Sequence, residues 1–96
     1  MAKGYWITIY RSVTNPAPLA EYGKIAGPAI EAGGGKFLVR GLPTKTYESG
    51  LQQRTVVIEF ESVEKAIATF ESSRYQSAAK LLVGSVDRDI RIVEGL

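Results

Sequence analysis

The sequence predicts an α+β domain of the ferredoxin-like plan, βαββαβ, with a four-stranded antiparallel sheet and both helices on one face. Three observations carry this. Four stretches read as strands and two carry apolar residues at helical spacing, in the order strand, helix, strand, strand, helix, strand. The stretch from Arg54 to Phe60 has apolar residues on both faces, so it belongs at the centre of a sheet covered on both sides. Finally, 96 residues with 45% hydrophobic and 23% charged content, and no repeat or linker, make one globular domain, residues 1–96.

The first strand runs from Lys3 to about Arg11. Tyr5, Ile7 and Ile9 point one way and read as core; Trp6, Thr8 and Tyr10 point the other way. The second set is aromatic and polar at once. It suits a wet cavity or a dimer seam, and equally a core of aromatics with satisfied polar tips. Asn15-Pro16 opens a helix, because Asn accepts the free amides and Pro is tolerated in the first turn. Leu19, Tyr22, Ala26, Ala29 and Ile30 follow at helical spacing, and Pro28 predicts a kink near Lys24 to Gly27. Gly33-Gly34-Gly35 ends the helix. A phosphate loop follows a strand and opens a helix; this triplet does the reverse, so a tight turn is the better account.

Lys36 to Gly41 is the second strand, and Thr44 to Gln53 a connection long enough for a short strand pair around Tyr47 and for contact with a partner. In the central strand Arg54, Val56, Ile58 and Phe60 share one face; Thr55, Val57, Glu59 and Glu61 share the other. Ser62 caps the second helix, with Val63, Ala66, Ile67 and Phe70 as its apolar stripe. Ser72-Ser73 restarts a short helix whose apolar side is Tyr75, Ala78, Ala79 and Leu82, capped at Gly84. Asp87-Arg88-Asp89 reads as a turn before a last strand from about Asp89 to Glu94.

Cysteine and histidine are both absent, which excludes disulfides, thiolate nucleophiles, the usual zinc sites, haem ligation by either residue and Ser-His-Asp catalysis. Neither a metal nor a cofactor is expected. A net charge of +2 does not imply nucleic acid or an anionic membrane as partner. RNA-recognition modules share this element order, but Glu59 in the central strand would repel phosphate. The sequence lacks an apolar run of membrane-spanning length, and its start goes straight into a strand pattern, so a cytoplasmic protein is expected.

Several stretches together resemble the domain-of-unknown-function family 1330 of small bacterial proteins. They are Lys3-Gly4-Tyr5-Trp6, Glu21-Tyr22 with Gly27-Pro28-Ala29, Gly34 to Gly41, Arg54 to Phe60, Tyr75-Gln76 and Val93-Glu94-Gly95. The resemblance implies a monomer that pairs through its sheet into a dimeric α+β barrel, with no established activity. Gly33, Leu82 and Glu61 stand where many relatives have histidine, arginine and proline. The wider barrel group, as the resemblance implies, includes haem-degrading and cofactor-free monooxygenases and isomerases of small molecules; missing histidine weighs against the haem branch.

These readings lead to one candidate site: a small-molecule pocket between the sheet's bare face and the first helix of a homodimer. Arg40 and Arg54 would hold a carboxylate or enolate, Tyr10 and Tyr22 would donate hydrogen bonds, and Trp6 would stack on an apolar ring. Glu59, desolvated, would serve as general base, with Tyr22 beside it in the catalytic role. Alternation sets Arg54 and Glu59 on opposite faces, so both line one cavity only if a strand bulges. The expected activity is that of a cofactor-independent isomerase or monooxygenase on a small acidic or aromatic compound. The alternative is a non-catalytic dimeric interaction or regulatory module.

Overall fold

The computed structural model describes residues 2–96. Strands β1 (Gly4–Val13), β2 (Lys36–Gly41), β3 (Thr55–Phe60) and β4 (Val86–Glu94) form one antiparallel sheet in the order β2-β3-β1-β4. Helices α1 (Ala17–Ala32), α2 (Val63–Glu71) and α3 (Ser73–Ala79) fill the two crossovers, a 3₁₀ turn at Lys80–Leu82 following α3. This is the ferredoxin-like arrangement expected from the element order. Among the described residues no helix is long and apolar enough to cross a membrane.

Tyr5, Ile7 and Ile9 are not the core expected of them. Trp6, Thr8 and Tyr10 lie under the helices and are buried, whereas Tyr5, Ile7 and Ile9 lie half-buried on the bare face. Register explains the outcome. Trp6 pairs with Ile58 and Thr8 with Val56, so the face of β1 that meets the helices is the one aligned with Val56, Ile58 and Phe60, the apolar side of β3. Val57, Glu59 and Thr55 sit opposite, with Tyr5, Ile7 and Ile9. The core is therefore built on aromatics. Trp6 stacks on Phe60 at 6.2 Å and meets Phe70 and Tyr75 edge-on at 5.3 and 4.9 Å.

Local chemistry accounts for the helix ends. Asn15 accepts from the Ala17 amide at 3.1 Å, and Ser62 and Ser72 accept from the amides of Lys65 and Tyr75. Helix α1 runs without interruption through Pro28. Lys24 is exposed, so a carbonyl that loses its partner there is free to reach water. The glycine triplet serves close packing. A Cβ at Gly33 would collide with the Thr69 side chain, one at Gly35 would meet Ile30 and Phe60, and Gly34 has φ of 95°. The stripe of α2 is rotated from the expected one: Ala66 and Thr69 are buried and Ile67 is exposed. Tyr47 lies in an exposed turn, not a strand pair.

Gly4 sets the distance between β1 and the start of α2. A Cβ there would lie 2.7 Å from backbone atoms of Ser62 and Val63, which no side-chain motion relieves. Gly4→Ala is expected to cost about 1–3 kcal/mol of stability, as overpacking does. A wild-type melting temperature for that variant would contradict the close approach.

Candidate functional site

The sheet and α1 do not close fully on each other. Between them lies a cavity of about 390 Å³, within the range of small-molecule sites. Its sheet wall is Trp6, Thr8 and Tyr10 from β1, Val56 and Ile58 from β3, and Phe37 from β2. Its helix wall is Leu19, Tyr22, Ala26 and Ile30, with Ala20, Gly23 and Gly27 between them. The small residues make the space. A Cβ at Gly23 or Gly27 would meet nothing within 4 Å. Gly27 precedes Pro28, where a Cβ is disfavoured in helical backbone, but Gly23 has no such reason. A glycine inside a helix costs about 1 kcal/mol relative to alanine.

Polar groups enter at defined points. Arg40, on the helix side of β2, packs its guanidinium over the Phe37 ring at 4.7 Å, and Arg54 lies 5.9 Å from the Tyr10 ring centroid. Both line the cavity, and among the described residues neither has a carboxylate partner. Trp6 Nε1 donates to Thr8 Oγ1 at 2.9 Å. The Tyr22 and Tyr75 hydroxyls are 2.7 Å apart, and Arg88 Nη1 donates to each at 3.1 Å. Burial, then Tyr75, pushes the Tyr22 phenol far above its ordinary range, outweighing the downward pull of Arg88. Burial lowers the Arg88 guanidinium while Tyr75 and Tyr22 raise it, and the rise prevails.

Of the six residues singled out in the sequence, the structure brings five together: Trp6, Tyr10, Tyr22, Arg40 and Arg54 line one cavity. Glu59 is the correction. It lies on the bare face, where Tyr5 donates to it at 3.2 Å and Lys3 sits 3.6 Å away, and the β1–β3 register runs without a shift past it. No bulge turns it inward, so it is not a base for this cavity. The cavity is also on the helix-bearing side of the sheet, not the bare side, because α1 covers the face of Trp6 and Tyr10.

Arg88 is a site residue that the sequence reading does not single out. Asp87 to Asp89 is strand and not the expected turn: β4 begins at Val86, and Tyr10 pairs with Arg88. The signal was present: Val86, Arg88, Ile90 and Ile92 alternate on one face, which places a guanidinium in a row of core aliphatics. Asp89 points to the bare face, where hydrogen bonds from Arg91 and then Arg11 hold its carboxyl below the usual range.

The comparisons come to the same architecture. A family model described as a domain of unknown function, DUF1330, matches residues 3–96. A crystal structure of a protein of unknown function from Rhodopseudomonas palustris superposes with a TM-score of 0.72 at 20% identity, over 99% of this chain and 83% of that one. A proposed antibiotic biosynthesis monooxygenase from Nitrosomonas europaea superposes with a TM-score of 0.66 at 16% identity, over 100% and 93%. A protein of unknown function from Thermobifida fusca, described as dimeric and ferredoxin-like, gives 0.66 at 14% identity, over 99% and 92%. At these identities the likeness is one of fold. No curated protein matches the chain in sequence.

Proposed function

The chain belongs to the DUF1330 family, and for this member we propose a homodimer in which each copy binds one small apolar or aromatic acid between α1 and the sheet. The observation that carries the reading is a cavity held open by glycine and walled by apolar side chains, with two unpaired guanidinium groups among its lining residues. Paired donors of this type suit a carboxylate, and the aromatic wall suits a ring. Dimerisation is supported by the apolar bare face and by structural neighbours described as dimeric.

The titratable residues lining the cavity are Tyr10, Tyr22, Arg40 and Arg54. With Glu59 on the other face, that set binds and polarises an acid but holds no carboxylate base. This favours a binding or regulatory module. A second reading, a cofactor-independent isomerase or monooxygenase, draws on the same donors stabilising an enolate or phenolate. It draws also on shared fold with the Nitrosomonas europaea protein.

Benzoate is the first probe. Its binding to the native form is expected to raise the melting temperature in a saturable way. Gly23→Leu should fill the space and remove that response, while Gly23→Ala raises intrinsic stability by about 0.5–1 kcal/mol. Arg54→Ala should weaken benzoate about tenfold, as loss of a charge-assisted contact does. An undiminished benzoate response in Gly23→Leu would place the ligand elsewhere and end the reading.

A further inference from the structure

Two hydroxyls on the cavity wall have a lone pair already engaged and a hydrogen left over. The Trp6 indole N–H only donates, so Thr8 accepts from it and keeps its own O–H. The Arg88 guanidinium likewise only donates, and it serves both Tyr22 and Tyr75. Two phenols carry two hydrogens, and the bond between them uses one.

Burial decides where the other lies. Tyr75 is 0% exposed and its hydroxyl has Tyr22 and Arg88 as its hydrogen-bond partners. Were Tyr22 to donate, the Tyr75 hydrogen would be stranded in the core without an acceptor. With Tyr75 donating, the spare hydrogen belongs to Tyr22, which lines the cavity.

We propose that Tyr22, held by Tyr75 and Arg88, donates its hydrogen bond to an anionic oxygen of the ligand, so that the cavity selects carboxylates, enolates and phenolates over neutral analogues of the same shape. Arg88 acts through Tyr22 and is a positioning residue. The ionisable groups that face Tyr22 are Tyr75 from α3, Arg88 from β4 and Tyr10 from β1. None is a carboxylate, and the upward shift of the Tyr22 phenol keeps it a donor across the physiological range. The proposal rests on the small-acid reading of the cavity and sharpens it from shape to charge state.

The test uses 4-nitrophenol, whose phenolate absorbs in the visible, titrated from acid to alkali free and bound to the full chain. Wild type is expected to bind it saturably and to favour the phenolate by about tenfold, one unit of downward shift in the bound probe. Tyr22→Phe should remove a measurable part of that preference, the remainder resting on Arg40 and Arg54. Tyr75→Phe and Arg88→Met should each remove a smaller part, and Arg88→Lys should restore some of it. A purely structural role for Arg88 would change affinity or melting temperature and leave the phenolate preference where it was. Should Arg88→Met fail to fold, Tyr22→Phe, which deletes a single oxygen, decides the matter. Full phenolate preference in Tyr22→Phe overturns the proposal alone. An absence of saturable binding to wild type overturns the small-acid reading and the proposal with it.

Discussion

Trp6→Ala is expected to lower the unfolding free energy by about 3–5 kcal/mol, the range for removing a buried aromatic. Domains of this kind are stable by about 5–15 kcal/mol in all, so the loss is a large share of the total. Trp6 is 1% exposed and touches Phe60, Phe70 and Tyr75, which come from β3, α2 and α3. It ties the first strand to both helices of the second crossover. The substitution also strips Thr8, 4% exposed, of the indole N–H it accepts from. Trp6→Phe should recover part of the packing but not that hydrogen bond. Denaturant unfolding at several protein concentrations gives the decisive readout. A core role predicts a loss of intrinsic stability that persists at every concentration. A seam role predicts a loss that fades as the dimer is driven together. A change below about 1 kcal/mol would contradict the core assignment.

That contrast marks the limit of what the residues alone disclose. Alternation divides β1 into two sets but does not say which set the helices will cover. Both sets of β1 are apolar enough to be core. The choice is made by register against β3, where Val56, Ile58 and Phe60 outweigh Thr55, Val57 and Glu59, and register is a tertiary fact. Arg88 was lost for a related reason. The Asp-Arg-Asp run has the composition of a turn, yet strand pairing from Val13 to Val86 carries β4 three residues further than that composition suggests. The cavity was legible in another sense. Trp6 and Tyr10 lie on alternating positions of β1 and Tyr22 on the apolar stripe of α1, all of which could be drawn from the sequence. Phe37 and Arg40, by contrast, are three residues apart and reach one side of β2 only through a register shift between Phe37 and Val39. The cavity's volume comes from what Gly23 and Gly27 lack, and an absent side chain in a helix has no pattern of its own. Alternation alone had already set Arg54 and Glu59 apart, and the structure keeps them so.

With Trp6, Thr8 and Tyr10 in the core, a dimer seam falls to the residues of the bare face. The bare face carries Tyr5, Ile7 and Ile9 from β1 beside Val57 from β3, all half-buried, with Val39 and Val93 at 48% and 47% exposed on either side. Charged pairs flank it: Lys3 with Glu59, and Arg11 and Arg91 with Asp89. An apolar centre with a polar rim is the composition of a protein interface. Ile7 pairs with Val57 on one side and Arg91 on the other, so it sits inside this patch. In a two-fold dimer one substitution acts twice, once from each copy. Ile7→Asp should therefore weaken association by about a hundredfold or more, since each carboxylate is desolvated beside an Arg91 that Asp89 already engages, at a cost of about 1–3 kcal/mol. Val57→Asp should behave alike. Sedimentation velocity at micromolar concentration is the measurement, with circular dichroism to confirm that the separated copies stay folded. The helix face is untouched by either change, so Trp6 keeps its packing and the cavity under α1 keeps its walls. Wild-type protein that sediments as a single copy, or an Ile7→Asp dimer as tight as wild type, would leave the bare face without the role assigned to it.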